Sequence, residues 1–201
     1  MSEIFENIRE NDDLDLALDY ALTRIINAIN GRDDDLHIFN LVTVDENNNP
    51  NTRNVVIRDF SKEDLIVRFH TDKRSKKISD ILNNNNINLL SYDRADKLQI
   101  RINAKARLIN SEEVLLDIWN AMYPMSRECY RVIESPGNEI ASLNDIEFQN
   151  EDEEGINGFD NFSAILCDIS SIEILYLHHA GHLRANYKNN NGKLDGKWIV
   201  P

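Results

Sequence analysis

Residues 51–77 read NTRNVVIRDFSKEDLIVRFHTDKRSKK, and their reading decides the fold. Arg53 to Arg58 is a β-branched run between polar flanks and predicts a strand. Asp59 to Asp64 predicts a turn, Leu65 to Thr71 a second strand, and Ser75 the start of a helix. Extended runs joined by so short a polar turn are antiparallel neighbours, because a parallel pair needs a long crossover. The stretch also gathers charge. It holds eight Lys or Arg against four Asp or Glu, a net of +4 in a chain of −13, so the rest sums to −17. Cations on a hairpin and at a helix start suit an anionic small ligand, above all a phosphate. Arg offers a planar fork, Lys a point charge, and the helix start its free amides.

Working outward, Leu36 to Val44 predicts a strand and Asp45 to Pro50 (DENNNP) a turn, so three neighbouring strands form a meander. Downstream, SKKISDIL (Ser75 to Leu82) predicts a short helix with Ile78, Ile81 and Leu82 facing in. Lys76 and Lys77 then sit in its first turn against the helix dipole, a misfit that a bound phosphate would resolve. Ile87 to Tyr92 is a strand. In Lys97 to Ile109, Leu98, Ile100, Ile102, Ala104, Ala106 and Leu108 alternate with Gln99, Arg101, Asn103, Lys105 and Arg107, a period-2 pattern. Its polar face is continuous and meets solvent, a ligand or a partner subunit.

These motifs resemble the pyridoxamine 5′-phosphate oxidase-like family of FMN-binding split barrels. R-x-V-x-x-R, F-H-T-D and S-K-K here match that family's R-x-V-L-L-K, F-Y-T-N and S-R-K at nearly the same spacing. The resemblance covers residues 36–110 well and 162–201 in outline. It implies a mainly β (α+β) fold, a six-stranded antiparallel split β-barrel with flanking helices. It implies FMN as cofactor, lying between the subunits of a homodimer. It carries flavin-binding roles to Arg53, Val55, Val56, Ile57, Arg58, His70, Thr71, Ser75, Lys76, Lys77, Gln99 and Arg184. Substrate contact falls to Arg127, Tyr130 and His182. The terminal W-I-V-P (Trp198 to Pro201) matches the family's last block. Two departures stand out: Leu175 occupies the place of a Trp near the flavin, and the Arg that binds substrate phosphate before L-H is absent. The layout of Trp119, Ser126-Arg127, Tyr130 and Pro136-Gly137 resembles a branch of the family related to the true oxidases but distinct from them, and the two departures leave flavin binding standing.

The remaining segments fill in one domain, residues 1–201. Residues 13–30 predict an amphipathic helix, with Asp12 or Asp13 as its cap and Gly31 as its end. Ser111 to Met122 is a helix capped by Ser111, with Val114, Leu115, Ile118 and Trp119 on its apolar face. Helix resumes over Ser126 to Ile133, so residues 111–135 form a helical insertion. Residues 138–161 are an acidic loop in which Glu151 to Glu154 read as solvated charge. Phe162 to Leu177 reads as two strands broken near Ser170-Ser171.

Composition excludes several classes. A pI near 4.8 argues against non-specific nucleic-acid binding and anionic membranes. No apolar run approaches the ~20 residues that cross a bilayer. The opening MSEIFENIRENDD has neither the basic nor the apolar region of a secretory leader, which points to the cytoplasm. Cys129 and Cys167, far apart and without a C-x-x-C neighbour, read as reduced core thiols. His178, His179 and His182 invite a metal or haem reading, but strand geometry would turn neighbours to opposite faces, and no metal is expected. The resulting expectation is an FMN-dependent oxidoreductase acting on a small substrate. The alternatives are an FMN-binding module without turnover and, more remotely, a haem-handling split barrel.

Overall fold

A computed structural model describes residues 3–150, 155–179 and 181–201. Eight strands form one sheet: β1 (Ile38–Val44), β2 (Pro50–Ser61), β3 (Ile66–Asp72), β4 (Asn86–Asp93), β5 (Leu98–Leu108), β6 (Phe162–Tyr176), β7 (Leu183–Asn190) and β8 (Lys193–Trp198). Their order is β3-β2-β1-β4-β5-β6-β7-β8, and β3 pairs again with β6. That pairing closes the first six strands into an antiparallel barrel, while β7 and β8 extend beyond it. The split barrel expected from the motifs is the fold observed.

The local chemistry explains the turns. The Asp45 carboxylate accepts from the Asn47 and Asn49 amides at 2.9 Å, and Asn48 takes the left-handed conformation, so the Asn-rich turn between β1 and β2 closes on itself. Leu98, Ile100, Ile102, Ala104 and Ala106 of β5 are all buried, as the period-2 pattern requires.

Four helices flank the barrel: α1 (Glu3–Asn11), α2 (Leu14–Ala28), α3 (Lys76–Asn83) and α4 (Glu112–Asn120). Asp13 caps α2 by accepting from the Leu16 amide at 2.8 Å, and α2 ends at Ala28, short of Gly31. Its buried face is Ala17, Ala21, Leu22, Ile25 and Ala28, small enough to lie close against the barrel. The short α1 is not signalled by periodicity; it is held by burial of Phe5 and Ile8, with the Phe5 ring stacked 3.8 Å from that of Tyr176. A second, smaller core joins Ile118, Trp119, Tyr130, Phe162 and Ala164.

Several expectations are corrected. Phe162 to Tyr176 is one strand, not two: its register against β5 shifts between Asn103 and Ala104, so Ser170 forms a bulge and its hydroxyl donates to the Asn103 carbonyl at 2.9 Å. Residues 126–133 do not continue as a helix. They make 3-10 turns at Pro124–Ser126 and Glu128–Tyr130, and Val132 then bridges to Phe148. Leu82 is 71% exposed, and Asp80 takes the inward place on α3 beside Ile78 and Ile81. Val114 also faces outward, and Cys129 is exposed, leaving Cys167 as the core thiol. His178, His179 and His182 follow β6 in a connecting loop, so no strand separates them. Glu151 to Glu154 lie outside the described residues. No helix among the described residues is long and apolar enough to cross a membrane.

Candidate functional site

β2, β3 and α3 bring Arg53, Thr71, Ser75 and Lys77 together. The Lys77 ammonium donates to Thr71 Oγ1 at 2.8 Å and to Ser75 Oγ at 3.0 Å. The Ser75 hydroxyl donates to the Asp72 carbonyl at 2.7 Å instead of capping α3 through its side chain. Burial first, and then the nearby Arg53 guanidinium, push the Lys77 amine below its ordinary range. Two cations therefore repel one another in a partly desolvated place, and an anion would relieve both.

Arg53 is aimed by a buried network. Its Nη1 donates to Thr43 Oγ1 at 2.5 Å and to the Asn51 carbonyl at 3.2 Å, while Nη2 lies 3.5 Å from Asp80 Oδ2. Asp80 also accepts from the Thr43 hydroxyl at 2.7 Å and the Asn51 amide at 3.2 Å. Lys76 lies at the rim. It is exposed, and its ammonium reaches Asp45 at 3.7 Å. Arg74 is engaged structurally, bidentate on Asp72 and donating to the Val132 and Ile133 carbonyls.

A cleft of about 760 Å³, within the size range of small-molecule sites, uses the same strands β2 and β3 but is lined by none of the cradle side chains. β2 and β3 contribute Arg58, Arg68 and His70; α4 and the turns after it contribute Ile118, Met122, Tyr123 and Tyr130. Arg58 sits in the bulge that shifts the β2–β3 register between Ile57 and Asp59. A bulge re-aims a side chain in this way at many binding sites. His70 and Thr71 are consecutive on β3, so one faces the cleft and the other the cradle. Burial first, then Arg68 and Arg58, lower the His70 pKa to about 3, so its imidazole is neutral. Burial likewise raises the Tyr130 phenol, which stays protonated. Val55 and Ile57 are buried in the barrel, so only their backbones can border a ligand.

The other expected residues lie elsewhere. Gln99 pairs with Leu175 and Leu175 with Arg184, one row across β5, β6 and β7. His70 instead pairs with Ala164 on β6. Eleven residues of strand separate Ala164 from Leu175, roughly 35 Å of rise. Gln99 and Arg184 thus lie toward the opposite end of β6 from the strand pairs that flank the cradle. Arg184 is held by Glu173 at 3.0 Å, which also binds Arg101. Arg127 donates to the carbonyls of Asn120, Met122 and Gly155 and lies 5.4 Å over the Trp119 ring. His182 Nδ1 accepts from the His178 amide at 3.0 Å. Among the described residues no group of three His, Cys, Asp or Glu is placed to hold a metal.

Sequence reading missed Thr43, Asn51, Arg68 and Asp80. Two had a signal. Arg68 interrupts the apolar run I-V-R-F on the face of β3 shared with His70, and Asp80 interrupts the apolar face of α3.

Residues 20–110 match the profile of the family described as pyridoxamine 5′-phosphate oxidase, FMN-binding domain. A pyridoxamine 5′-phosphate oxidase-related, FMN-binding protein from Nostoc punctiforme PCC 73102 superposes with a TM-score of 0.74 at 23% identity, over 92% of this chain and 96% of that one. PhzG from Burkholderia lata 383, solved with tetrahydrophenazine-1-carboxylic acid, gives 0.68 at 15% identity over 92% of each chain. A Clostridium acetobutylicum protein related to general stress protein 26 gives 0.54 at 13% identity, over 84% of this chain and 94% of that one. At these identities the structures share the fold alone. No curated protein matches the sequence.

Proposed function

We propose that this chain, whose residues 20–110 match the FMN-binding domain family of pyridoxamine 5′-phosphate oxidase, is a homodimeric flavin oxidoreductase acting on a small substrate in the cytoplasm. Arg53, Thr71, Ser75 and Lys77 hold the FMN phosphate, with Lys76 adding charge from the rim. The donor set fits a phosphate: a fork, an ammonium, two hydroxyls and the free amides at the start of α3. The backbone of Val55 to Ile57 borders the ring system, with Arg58 and His70 beside it. Bound there, FMN supplies a hydride acceptor for a small substrate.

The chain's own residues bind, orient and exclude water. Ile118, Met122 and Tyr130 make the cleft a partly apolar slot facing Arg58 and His70, and Tyr130 offers a protonated hydroxyl. Gln99 and Arg184 act on the flavin of the other subunit. The span of about 35 Å along β6 favours this arrangement, because the two ends of that strand serve one cofactor only across a dimer. Arg127, Tyr130 and His182 remain substrate candidates, with Tyr130 favoured because it alone of the three lines the cleft.

The observation that carries the reading is the cluster of Arg53, Thr71, Ser75 and Lys77, a donor set suited to a phosphate, on the same strands that wall a cleft of substrate size. The test is the absorption spectrum and oligomeric state of the purified protein. Bound-flavin bands, a dimer, and anaerobic bleaching by NAD(P)H or an organic donor are expected. A colourless monomer that takes up no added FMN overturns the proposal. Bound flavin that no donor bleaches replaces the enzyme with an FMN-binding module.

A further inference from the structure

Two polar atoms of residues that line the cleft, Arg68 Nε and His70 Nε2, are buried without a hydrogen-bond partner among the described residues. Buried polar atoms are nearly always satisfied, so two orphans side by side need an explanation. They belong to residues two apart on one strand and therefore share a face. Arg58 stands next to them at the β2 bulge. We propose that Arg68 and His70 form a carboxylate-binding subsite, so that the substrate is a planar compound carrying one carboxylate. This rests on the reading of the cleft as the substrate site.

The local charge selects the ligand. Arg32, Arg58 and Arg68 contribute +3, Asp117 on the opposite wall −1, and Asp59, 3.3 Å from Arg68, a further −1, leaving +1. His70 is neutral and leaves that sum unchanged. A site of +1 balances a carboxylate and underbalances a phosphate dianion. The Arg68 Nε–H and, in the tautomer that carries its proton on Nε2, the His70 ring match the two oxygens of a carboxylate, which prefers paired donors. Opposite them, Ile118, Met122 and the Tyr130 ring give an apolar, aromatic wall for a flat body. Arg68 is thus the specificity-determining residue, and no phosphate-binding motif in the sequence includes it.

The experiment titrates benzoate, benzamide and phenyl phosphate into the FMN-loaded protein, following calorimetric heat and the visible flavin spectrum. Loading fills the cradle, so phenyl phosphate reports on the cleft. Benzoate is expected to bind at least tenfold more tightly than benzamide and more tightly than phenyl phosphate. Arg68→Gln should weaken benzoate ten- to hundredfold and leave benzamide and FMN affinity unchanged, while Arg68→Lys restores part of the loss. Thermal melting of each variant confirms that the fold persists. Failure of benzoate to bind, equal binding of benzamide, or an Arg68→Gln variant that binds benzoate normally overturns the subsite. Tighter binding of phenyl phosphate overturns the choice of carboxylate. If the protein takes up no FMN, the flavin reading fails, and the same titration on the FMN-free protein still judges the subsite.

Discussion

Replacing Arg53 with Ala should separate recognition of the phosphate from recognition of the flavin ring. The guanidinium is held by Thr43, the Asn51 carbonyl and Asp80, and it stands beside Lys77. Each charge-assisted hydrogen bond to a phosphate contributes about 1.5–3 kcal/mol. Loss of one such bond raises Kd by about 10- to 150-fold. Riboflavin has the ring but no phosphate, so its affinity should change less than about twofold. The substitution has a second consequence. Asp80, 2% exposed, loses its cation and stays buried with only Thr43 and Asn51. Its carboxylate then repels the incoming phosphate and costs about 1–3 kcal/mol of stability. Arg53→Ala/Asp80→Asn should therefore bind FMN more tightly than Arg53→Ala alone and melt higher. The assay is quenching of flavin fluorescence by FMN-free protein, run with both flavins on wild type and both variants. Equal weakening of FMN and riboflavin, or unchanged FMN affinity, would refute the assignment of Arg53 to the phosphate. A double variant weaker than the single one would refute the role given to Asp80.

Two further outcomes follow from burial. His70 has a folded pKa of about 3 against an ordinary 6.5, so below pH 6.5 the unfolded chain takes up a proton that the folded one refuses. Its contribution to stability therefore falls as pH drops from 6.5 toward 3, by about 1.4 kcal/mol per pH unit, or about 2 kcal/mol at pH 5. Urea denaturation across that range should show this slope in wild type and a reduced one in His70→Phe; equal slopes would place the imidazole in water. On α3, Ile81→Ala should cost about 2–5 kcal/mol and Leu82→Ala under about 0.5, because Ile81 is buried and Leu82 is exposed. Comparable losses in denaturation midpoints would show that Leu82 packs inward after all.

Local patterns made much of this molecule readable. The alternation in Leu98 to Leu108, the Asn-rich turn after Val44 and the capped start at Asp13 each depend on a few neighbouring residues, and each sits where the sequence puts it. The order of basic and hydroxyl residues from Arg53 to Lys77 likewise marked the cradle, since a hairpin and the helix after it are contiguous in the chain. Distant partners decided the rest. The sequence makes Leu82 as apolar as Ile81, but Asp80 faces inward because Thr43 and Asn51 of other segments meet it there. Arg127 and Arg184 are both arginines with plausible roles. Only the folded chain commits one to three carbonyls and the other to Glu173. Arg68 and His70 became a pair of buried polar groups facing α4 and the turns after it across one cleft, a setting that a bare hairpin does not have. Periodicity and turn chemistry act over a few residues and are written along the chain. Desolvation and the choice of a charge's partner depend on what a remote segment brings near, and only tertiary structure settles them.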